Sequence, residues 1–117
     1  MIQIMHTEIK PWGQFTNIYD KAHSKVKTIQ VNPGQRLSLQ SHSKRAETWV
    51  VIRGLANVQI NEELYTLSVG ESIQIPVGAK HRLQNAGSEL LEIIEVQTGT
   101  YFGEDDIIRY EDDYQRV

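Results

Sequence analysis

Hydrophobic and polar residues alternate with a period of two along most of the chain from residue 25 onward. This alternation is typical of β-strands, in which successive side chains point to opposite faces. It marks eight short segments: KVKTIQV (25–31), QRLSLQSH (35–42), ETWVVIRG (47–54), ANVQI (56–60), ELYTLSV (63–69), ESIQIP (71–76), HRLQN (81–85) and LLEIIEVQ (90–97). Turn residues separate the segments. The pattern predicts an all-β fold whose two sheets share one core.

The two ends of the chain are less regular than its middle. We interpret residues 1–24 as an N-terminal arm, 25–97 as the barrel core, and 98–117 as a C-terminal tail with one short helical turn. The chain has 117 residues and contains no linker, repeat or low-complexity tract. This length is enough for one modest core, so we expect a single domain, 1–117.

Composition and charge exclude several classes of function. The net charge of -3 argues against a general nucleic-acid binder, which needs a basic surface. The absence of cysteine excludes disulfides, thiolate metal sites and cysteine nucleophiles. Charges and a proline interrupt the N-terminus where a signal peptide would be apolar, and no apolar run approaches the ~20 residues of a membrane span. We therefore predict a cytoplasmic protein that binds neither nucleic acid nor membranes.

The first candidate site is the polar face of segment 35–42. Strand alternation would place four polar residues on that face: Arg36, Ser38, Gln40 and His42. Glu47 and Trp49 share a face in the next segment. The residues alone leave two readings open, because such a face is either solvated or lines a polar cavity inside a barrel.

Nine positions at matching offsets make the sequence similar to the cupins. The first cupin motif is matched by Gly34, His42, Glu47 and Gly54, and the second by Gly70, Pro76, Gly78, His81 and Asn85. The resemblance implies a small antiparallel jelly-roll barrel. It also implies a divalent cation held by His42, Glu47 and His81. Gln40 stands where cupins usually have another histidine, and its amide oxygen can still coordinate a metal.

A closer resemblance, from about residue 10 to residue 116, is to the cupin domain of type II phosphomannose isomerases. It rests on KPWG (10–13), PGQRLSLQSHSKRAETWVVIRG (33–54), IPVGAKHRLQNAG (75–87) and LEIIEVQTGTYFGEDDIIRYEDDYQR (91–116). A glutamine at the position of Gln40 is usual in that family. The resemblance implies a small-molecule sugar-phosphate substrate, with mannose 6-phosphate and fructose 6-phosphate interconverted through an enediolate. Guanylyltransferase activity, which belongs to a separate domain in that family, is not expected from this chain.

The implied chemistry gives roles to individual residues. Arg45 matches a motif arginine of the family and is predicted to be catalytic and substrate-binding. Arg36 and Ser38 are predicted to bind substrate, Arg36 through a fork of hydrogen bonds to phosphate. Glu95 interrupts an apolar run, so it is predicted to be the base if burial raises its pKa, and a structural ion pair is the alternative. Arg82 ranks lower because it should point away from His81.

The metal ligands contain only nitrogen and oxygen, so zinc, manganese, nickel, cobalt and iron all remain candidates. Ser43, Lys44 and Thr48 stand where relatives often carry histidines. If one of those imidazoles shuttles protons, the protein is a non-catalytic cupin that binds a sugar phosphate or a nucleotide sugar. An iron-dependent oxidase is a third hypothesis. We also expect a homodimer, with residues 1–9 as an intersubunit strand.

Overall fold

The computed structural model describes residues 5–116, which form eleven β-strands and no helix. The strands are β1 (His6–Lys10), β2 (Gly13–Asp20), β3 (Ser24–Val31), β4 (Leu39–Ser41), β5 (Arg45–Arg53), β6 (Ala56–Ile60), β7 (Glu63–Leu67), β8 (Ser72–Ile75), β9 (His81–Gln84), β10 (Leu91–Gly99) and β11 (Ile108–Glu111). A six-stranded sheet has the order β1-β2-β3-β10-β5-β8, and a five-stranded sheet has the order β11-β4-β9-β6-β7. The predicted all-β fold is confirmed. No helix in this part of the chain could cross a membrane.

The interior of the barrel changes from apolar to polar along three neighbouring strands, β3, β10 and β5. Their buried, inward-facing side chains form cross-strand rows: Ile29, Ile93 and Val51; then Lys27, Glu95 and Trp49; then Lys25, Gln97 and Glu47. The first row belongs to the hydrophobic core, together with Val31, Leu83 and Leu91. The other two rows are largely polar. One half of the interior is therefore a packed core, and the other half is a wall of charged and polar groups.

The N-terminal arm is more regular than the sequence pattern predicts. β1 and β2 form a hairpin, and β2 pairs with β3, so the arm extends the larger sheet to its edge. Trp12 and Phe15 are buried in the core. The alternation of β2 is interrupted by an irregularity between Asn17 and Tyr19, which hid the strand. Residues 1–4 of the predicted intersubunit strand lie outside the described residues.

The helical turn predicted in the C-terminal tail is wrong. Residues 108–111 form β11, which pairs antiparallel with β4 at the edge of the smaller sheet. The segment is short and has no clear apolar alternation of its own. Its strand conformation depends on a partner almost 70 residues earlier in the chain, and local patterns carry no information about such a partner.

Candidate metal centre

Two histidines and a glutamate meet in the polar half of the barrel. His42 follows β4, His81 opens β9 in the same sheet, and Glu47 projects inward from β5 of the other sheet. Their potential ligand atoms all lie within 4.8 Å of one another. His42 Nε2 is 3.3 Å from Glu47 Oε2, and His81 Nε2 is 3.5 Å from Glu47 Oε1. The structure thus brings together three of the four metal ligands predicted from the sequence.

Backbone carbonyls orient both imidazole rings. His42 Nδ1 lies 2.7 Å from the carbonyl oxygen of Asp106, and His81 Nδ1 lies 3.0 Å from that of Ala79. A carbonyl oxygen only accepts hydrogen bonds, so each Nδ1 carries a proton and donates it. This places the remaining lone pair of each neutral ring on Nε2, which faces Glu47. Such outer hydrogen bonds are typical of metal-ligating histidines.

Gln40, the fourth predicted ligand, lies beside His81. The two residues are cross-strand neighbours between β4 and β9, and both line the same cavity. The Gln40 amide nitrogen donates to Ser38 Oγ at 3.0 Å. This bond directs the nitrogen to Ser38 and leaves the amide oxygen as the atom that could face a cation.

Arg45 contacts two of the candidate ligand atoms. Its Nε donates to Glu47 Oε2 at 2.9 Å, and its Nη2 lies 3.2 Å from His42 Nε2. Because Nε2 has a single lone pair, an ion bound there would replace the Arg45 contact. Two imidazole nitrogens, a carboxylate and an amide oxygen form a donor set that fits a borderline divalent cation.

Burial and mutual contacts shift the pKa values of these groups in different directions. Burial lowers the pKa of His42. Burial would also lower the pKa of His81, but the protonated ring donates from Nε2 to Glu47 and is attracted by the Glu47 charge, and these effects outweigh burial and raise the pKa. Conversely, the His81 contacts and Arg45 overcome the burial of Glu47 and hold its pKa well below the usual range. Glu47 is therefore the ionised carboxylate of the centre.

Glu95, the predicted base, is a second buried carboxyl group next to the centre. Trp49 Nε1 donates to Glu95 Oε1 at 2.9 Å and to Glu47 Oε1 at 3.2 Å, so one indole bridges the two carboxyl groups. Gln97 Nε2 donates to Glu95 Oε2 at 2.8 Å, and Lys27 Nζ lies 3.7 Å from the same oxygen. Burial and the negative charge of Glu47 raise the pKa of Glu95 to about 7.

The centre opens into a cavity that the C-terminal tail helps to line. Its volume is about 70 Å³, and since ~10–15 Å³ of such space holds one water molecule, it has room for roughly five. Besides Gln40, Glu47 and His81 of the centre, the lining includes Ser38, Glu95, Glu104, Arg109 and Arg116. The last three come from the tail, which therefore forms part of the site.

Arg36 does not take the position that strand alternation predicts. It pairs with Gln84 in an isolated bridge, whereas Gln40 pairs with His81, so the register shifts by one residue between them. The shift removes Arg36 from the Gln40 face and from the cavity lining. Its guanidinium instead forms two hydrogen bonds to Asp113 of the tail, at 2.8 and 2.9 Å. The placement of Arg36 beside Gln40 is therefore wrong.

Arg82 also holds the tail. It is buried and lines the cavity, but its guanidinium donates to the Leu37 carbonyl at 2.9 Å and to Glu111 at 3.1 Å. Ser38, predicted to bind substrate, is fully buried, and its hydroxyl accepts the hydrogen bond from Gln40. Its position is in the cavity wall.

None of the three residues that replace family histidines lines the cavity. Ser43 is exposed, and both its backbone N–H and its hydroxyl donate to Asp106. The ammonium group of Lys44 lies 5.1 Å from the centroid of the Tyr101 ring. Thr48 alternates with the buried Glu47 and Trp49 on a regular stretch of β5, so it belongs to the opposite face.

Lys27 and Arg109 are among the cavity residues that the sequence analysis did not identify. Alternation in KVKTIQV places Lys27 on the same face as the buried Ile29, and this signal could have identified it. Arg109 could not be found in this way, because its position depends on the pairing of β11 with β4.

Comparison with known proteins finds a family and relatives that match almost the whole chain. A profile of the family described as mannose-6-phosphate isomerase C-terminal matches residues 2–112. Mannose-1-phosphate guanylyltransferase ManC of Salmonella typhimurium is 49% identical over 114 residues, covering 97% of this chain and 24% of ManC. Xanthan biosynthesis protein XanB of Xanthomonas campestris pv. campestris is 50% identical over 108 residues, covering 92% and 23%. The chain therefore spans about a quarter of the length of these relatives.

Solved structures support the fold. Oxalate decarboxylase from Bacillus subtilis superposes with a TM-score of 0.80 at 22% identity, covering 91% of this chain and 30% of that one. The cupin domain of Schizosaccharomyces pombe Cnp3 gives 0.71 at 11% identity, covering 74% and 64%. At such identities the likeness is one of fold, and it confirms the predicted jelly-roll cupin barrel.

Proposed function

The chain belongs to the mannose-6-phosphate isomerase C-terminal family, and from this membership we propose that it interconverts mannose 6-phosphate and fructose 6-phosphate with a divalent metal ion. The observation that carries the proposal is the pairing of two buried carboxyl groups with opposite pKa shifts. Glu47 is ionised beside two histidines, whereas Glu95 has a pKa of about 7. When two neighbouring carboxyl groups have well-separated pKa values, the group with the lower pKa can stabilise charge and the group with the higher pKa can transfer protons.

The reaction moves one carbon-bound proton from C2 to C1 of the open-chain sugar and one hydroxyl proton from O2 to O1. Glu95 takes the proton from C2 of mannose 6-phosphate and returns it to C1, so that the C1 aldehyde becomes an alcohol and the ketone forms at C2. A carboxyl group with a pKa near neutrality is suited to both halves of this transfer. When bound by His42, Glu47, His81 and Gln40, the ion would supply Lewis-acid stabilisation of the enediolate oxygens.

The side chains around Glu95 hold it for this role. The Trp49 indole fixes Oε1, and the Gln97 amide fixes Oε2, so the carboxyl group cannot turn away from the cavity. Arg45, with one bond to Glu47, can stabilise negative charge that develops on the sugar. The placement of Ser43, Lys44 and Thr48 outside the cavity supports the proposal, because the family histidines at these positions would not reach the reacting carbons on this geometry.

A coupled assay of fructose 6-phosphate formation tests the proposal. The protein is stripped with a chelator and then supplied separately with zinc, manganese, nickel, cobalt or iron. We expect turnover to be lost on chelation and restored by at least one cation. The proposal fails if no cation gives turnover above the enzyme-free rate.

A double variant tests the metal site itself. His42→Ala combined with His81→Ala removes two of the ligands, and we expect elemental analysis of the purified protein to show loss of bound metal. His6→Ala combined with His23→Ala is the matched control, since both of these histidines are exposed. Stoichiometric metal retained by the first variant would place the site elsewhere.

One observation favours a second function, a sugar-phosphate-binding cupin without catalysis. The Arg45 guanidinium already donates to Glu47 and contacts His42, so a cation from the chain itself can satisfy the centre. Such a protein would be stabilised against heat by mannose 6-phosphate or a nucleotide sugar and would show no turnover with any metal.

A further inference from the structure

Arg109 lies in line with the metal centre across the five-stranded sheet. It is the cross-strand neighbour of Gln40, and Gln40 is the cross-strand neighbour of His81. Adjacent strands lie about 4.8 Å apart, so the Arg109 backbone is about 10 Å from that of His81. Its side chain lines the same cavity as His81 but comes from a strand two positions away in the sheet.

The Arg109 guanidinium has a buried N–H group without a hydrogen-bond partner among residues 5–116. Its Nε is buried and forms no hydrogen bond within residues 5–116, and no carboxylate there lies within ion-pair distance. The other cavity arginines each have a carboxylate: Arg45 has Glu47, Arg82 has Glu111, and Arg116 has Asp112. A buried donor without a partner is costly, and the cost is larger for a charged group.

Arg45 carries a second donor of this kind. Its Nη1 is also buried without a partner, although its Nε and Nη2 are engaged with the centre. Two guanidinium groups on facing sheets, from β11 and β5, thus each keep a buried N–H free in one cavity.

Arg109 also stands apart in the balance of charge at the cavity. Six cationic side chains line it: Lys10, Lys27, Arg45, Arg82, Arg109 and Arg116. Within residues 5–116, every one of them except Arg109 forms an ion pair with a carboxylate. The charge left for an anion is therefore that of Arg109.

We propose that Arg109 anchors the phosphate of the substrate, with Arg45 Nη1 as a second donor. The inference deepens the proposed function and rests on it for the identity of the sugar. A phosphate monoester supplies acceptor oxygens for both free N–H groups and a negative charge to pair with Arg109. In a hexose 6-phosphate the phosphate is at the far end of the molecule from C1 and C2. An anchor set apart from the histidines suits that separation. Arg36, which the sequence predicted to bind phosphate, forms its hydrogen bonds with Asp113 of the tail instead.

The test compares Arg109→Gln with Arg53→Gln, an exposed arginine at the end of β5. In the isomerase assay we expect Arg109→Gln to raise KM for mannose 6-phosphate about ten- to a hundredfold, as for loss of a charge-assisted bond, with a much smaller change in kcat. Arg53→Gln should keep the KM of the wild type. Arg109→Lys, which retains the charge without the fork, should lie between the two. Circular dichroism melts check that each variant is folded.

Binding without catalysis gives the second readout. The thermal shift produced by mannose 6-phosphate, inorganic phosphate and unphosphorylated mannose is measured on chelated protein, so that metal-bound phosphate does not contribute. We expect both phosphates to stabilise the wild type and Arg53→Gln but not Arg109→Gln, and mannose to stabilise none of them.

The two proposals fail in distinguishable ways. Phosphate binding that depends on Arg109, without turnover by any metal form, would overturn the isomerase and leave the anchor. Turnover with an unchanged KM in Arg109→Gln would overturn the anchor and leave the isomerase. The anchor is also overturned if phosphates fail to stabilise the wild type, or if Arg36→Gln abolishes binding that Arg109→Gln retains.

Discussion

Glu47 and Glu95 both accept a hydrogen bond from the indole N–H of Trp49, but the pKa of Glu47 is lowered and that of Glu95 is raised. The difference comes from their other neighbours. Glu47 faces both histidines and Arg45, whereas Glu95 faces an amide and a lysine whose charge is divided with Glu104. When two buried carboxyl groups lie this close, ionisation of one opposes ionisation of the other. The proton of the pair therefore resides on Glu95.

This assignment predicts the effect of Glu95→Gln. The substitution preserves the shape and the hydrogen bond from Trp49 but removes the proton acceptor. We expect kcat to fall by a factor of about 10² to 10⁴, as is usual for loss of a general base, while bound metal stays near the wild-type level. Steady-state kinetics and elemental analysis measure the two quantities. Glu92→Gln is the control, because Glu92 lies on β10 with the outward alternation. Near-normal kcat in Glu95→Gln would assign the base to another group.

The spacing of residues in the sequence predicted most of the centre but not its surroundings. His42, Glu47 and His81 were found because cupin turns place motif residues at fixed offsets. The motif glycines at 34, 54, 70 and 78 do adopt positive φ angles, which glycine tolerates best. Arg36 was misplaced because alternation was assumed to continue through a register shift, and a single-residue shift reverses the face of a side chain.

At the scale of elements, the C-terminal tail is the part that the sequence predicted least well. Side-chain bonds from several regions of the barrel hold it: Arg36 to Asp113, Arg82 to Glu111, Ser43 to Asp106, and Gln35 to Tyr114. These contacts join residues at least 29 positions apart. Because no local pattern encodes them, β11 and Arg109 become visible only in the folded structure.

Asp112 organises the last turn of the tail and gives a prediction that depends on pH. Its side chain has no exposed surface and accepts bonds from Arg116 Nε at 2.7 Å, Arg116 N at 2.8 Å and Tyr114 N at 3.3 Å. Burial alone would raise the pKa of Asp112, but the bonds from Arg116 and the backbone lower it. A lowered pKa means that the ionised form stabilises the folded state.

We therefore expect Asp112→Asn to lower the free energy of unfolding at pH 7 by roughly 1–3 kcal/mol, as for a buried hydrogen-bonded group. The stabilising effect is fully present above the unfolded-state pKa of about 3.9 and is lost as the pH falls through the lower folded-state value. The gap between wild type and variant should therefore narrow as the pH falls below about 3.9. Urea denaturation at pH 7 and across the acid range measures it, with Asp20→Asn on the exposed end of β2 as control. A gap that persists in acid would show that the ionised carboxylate is not the source of the stability.

At the scale of the whole molecule, both sheets end in an edge strand. β1 borders the larger sheet and exposes 76% of Ile9, and β7 borders the smaller sheet and exposes 79% of Leu64. Edge strands carry unpaired backbone groups, and these favour pairing with a second chain. We propose that the homodimer expected from the sequence forms through β1, so that two larger sheets join about a two-fold axis.

Sedimentation analysis checks this arrangement. We expect the wild type to sediment as a dimer, Ile9→Asp as a monomer, and Leu64→Asp as a dimer, because a buried carboxylate would oppose pairing only at the edge that is used. A monomeric wild type, or dissociation caused by Leu64→Asp alone, would contradict the proposed interface.

The tail that lines the cavity has a kinetic consequence for the proposed isomerase. Glu104, Arg109 and Arg116 of the tail line the cavity, so a substrate that enters from this side needs β11 to separate transiently from β4. Transient opening of this kind changes the rates of entry and exit together and leaves the equilibrium affinity unchanged, but the opening rate sets an upper limit on turnover. Substitutions that bind the tail more tightly would raise the melting temperature and slow the enzyme. The fastest form of this protein would therefore not be its most stable form.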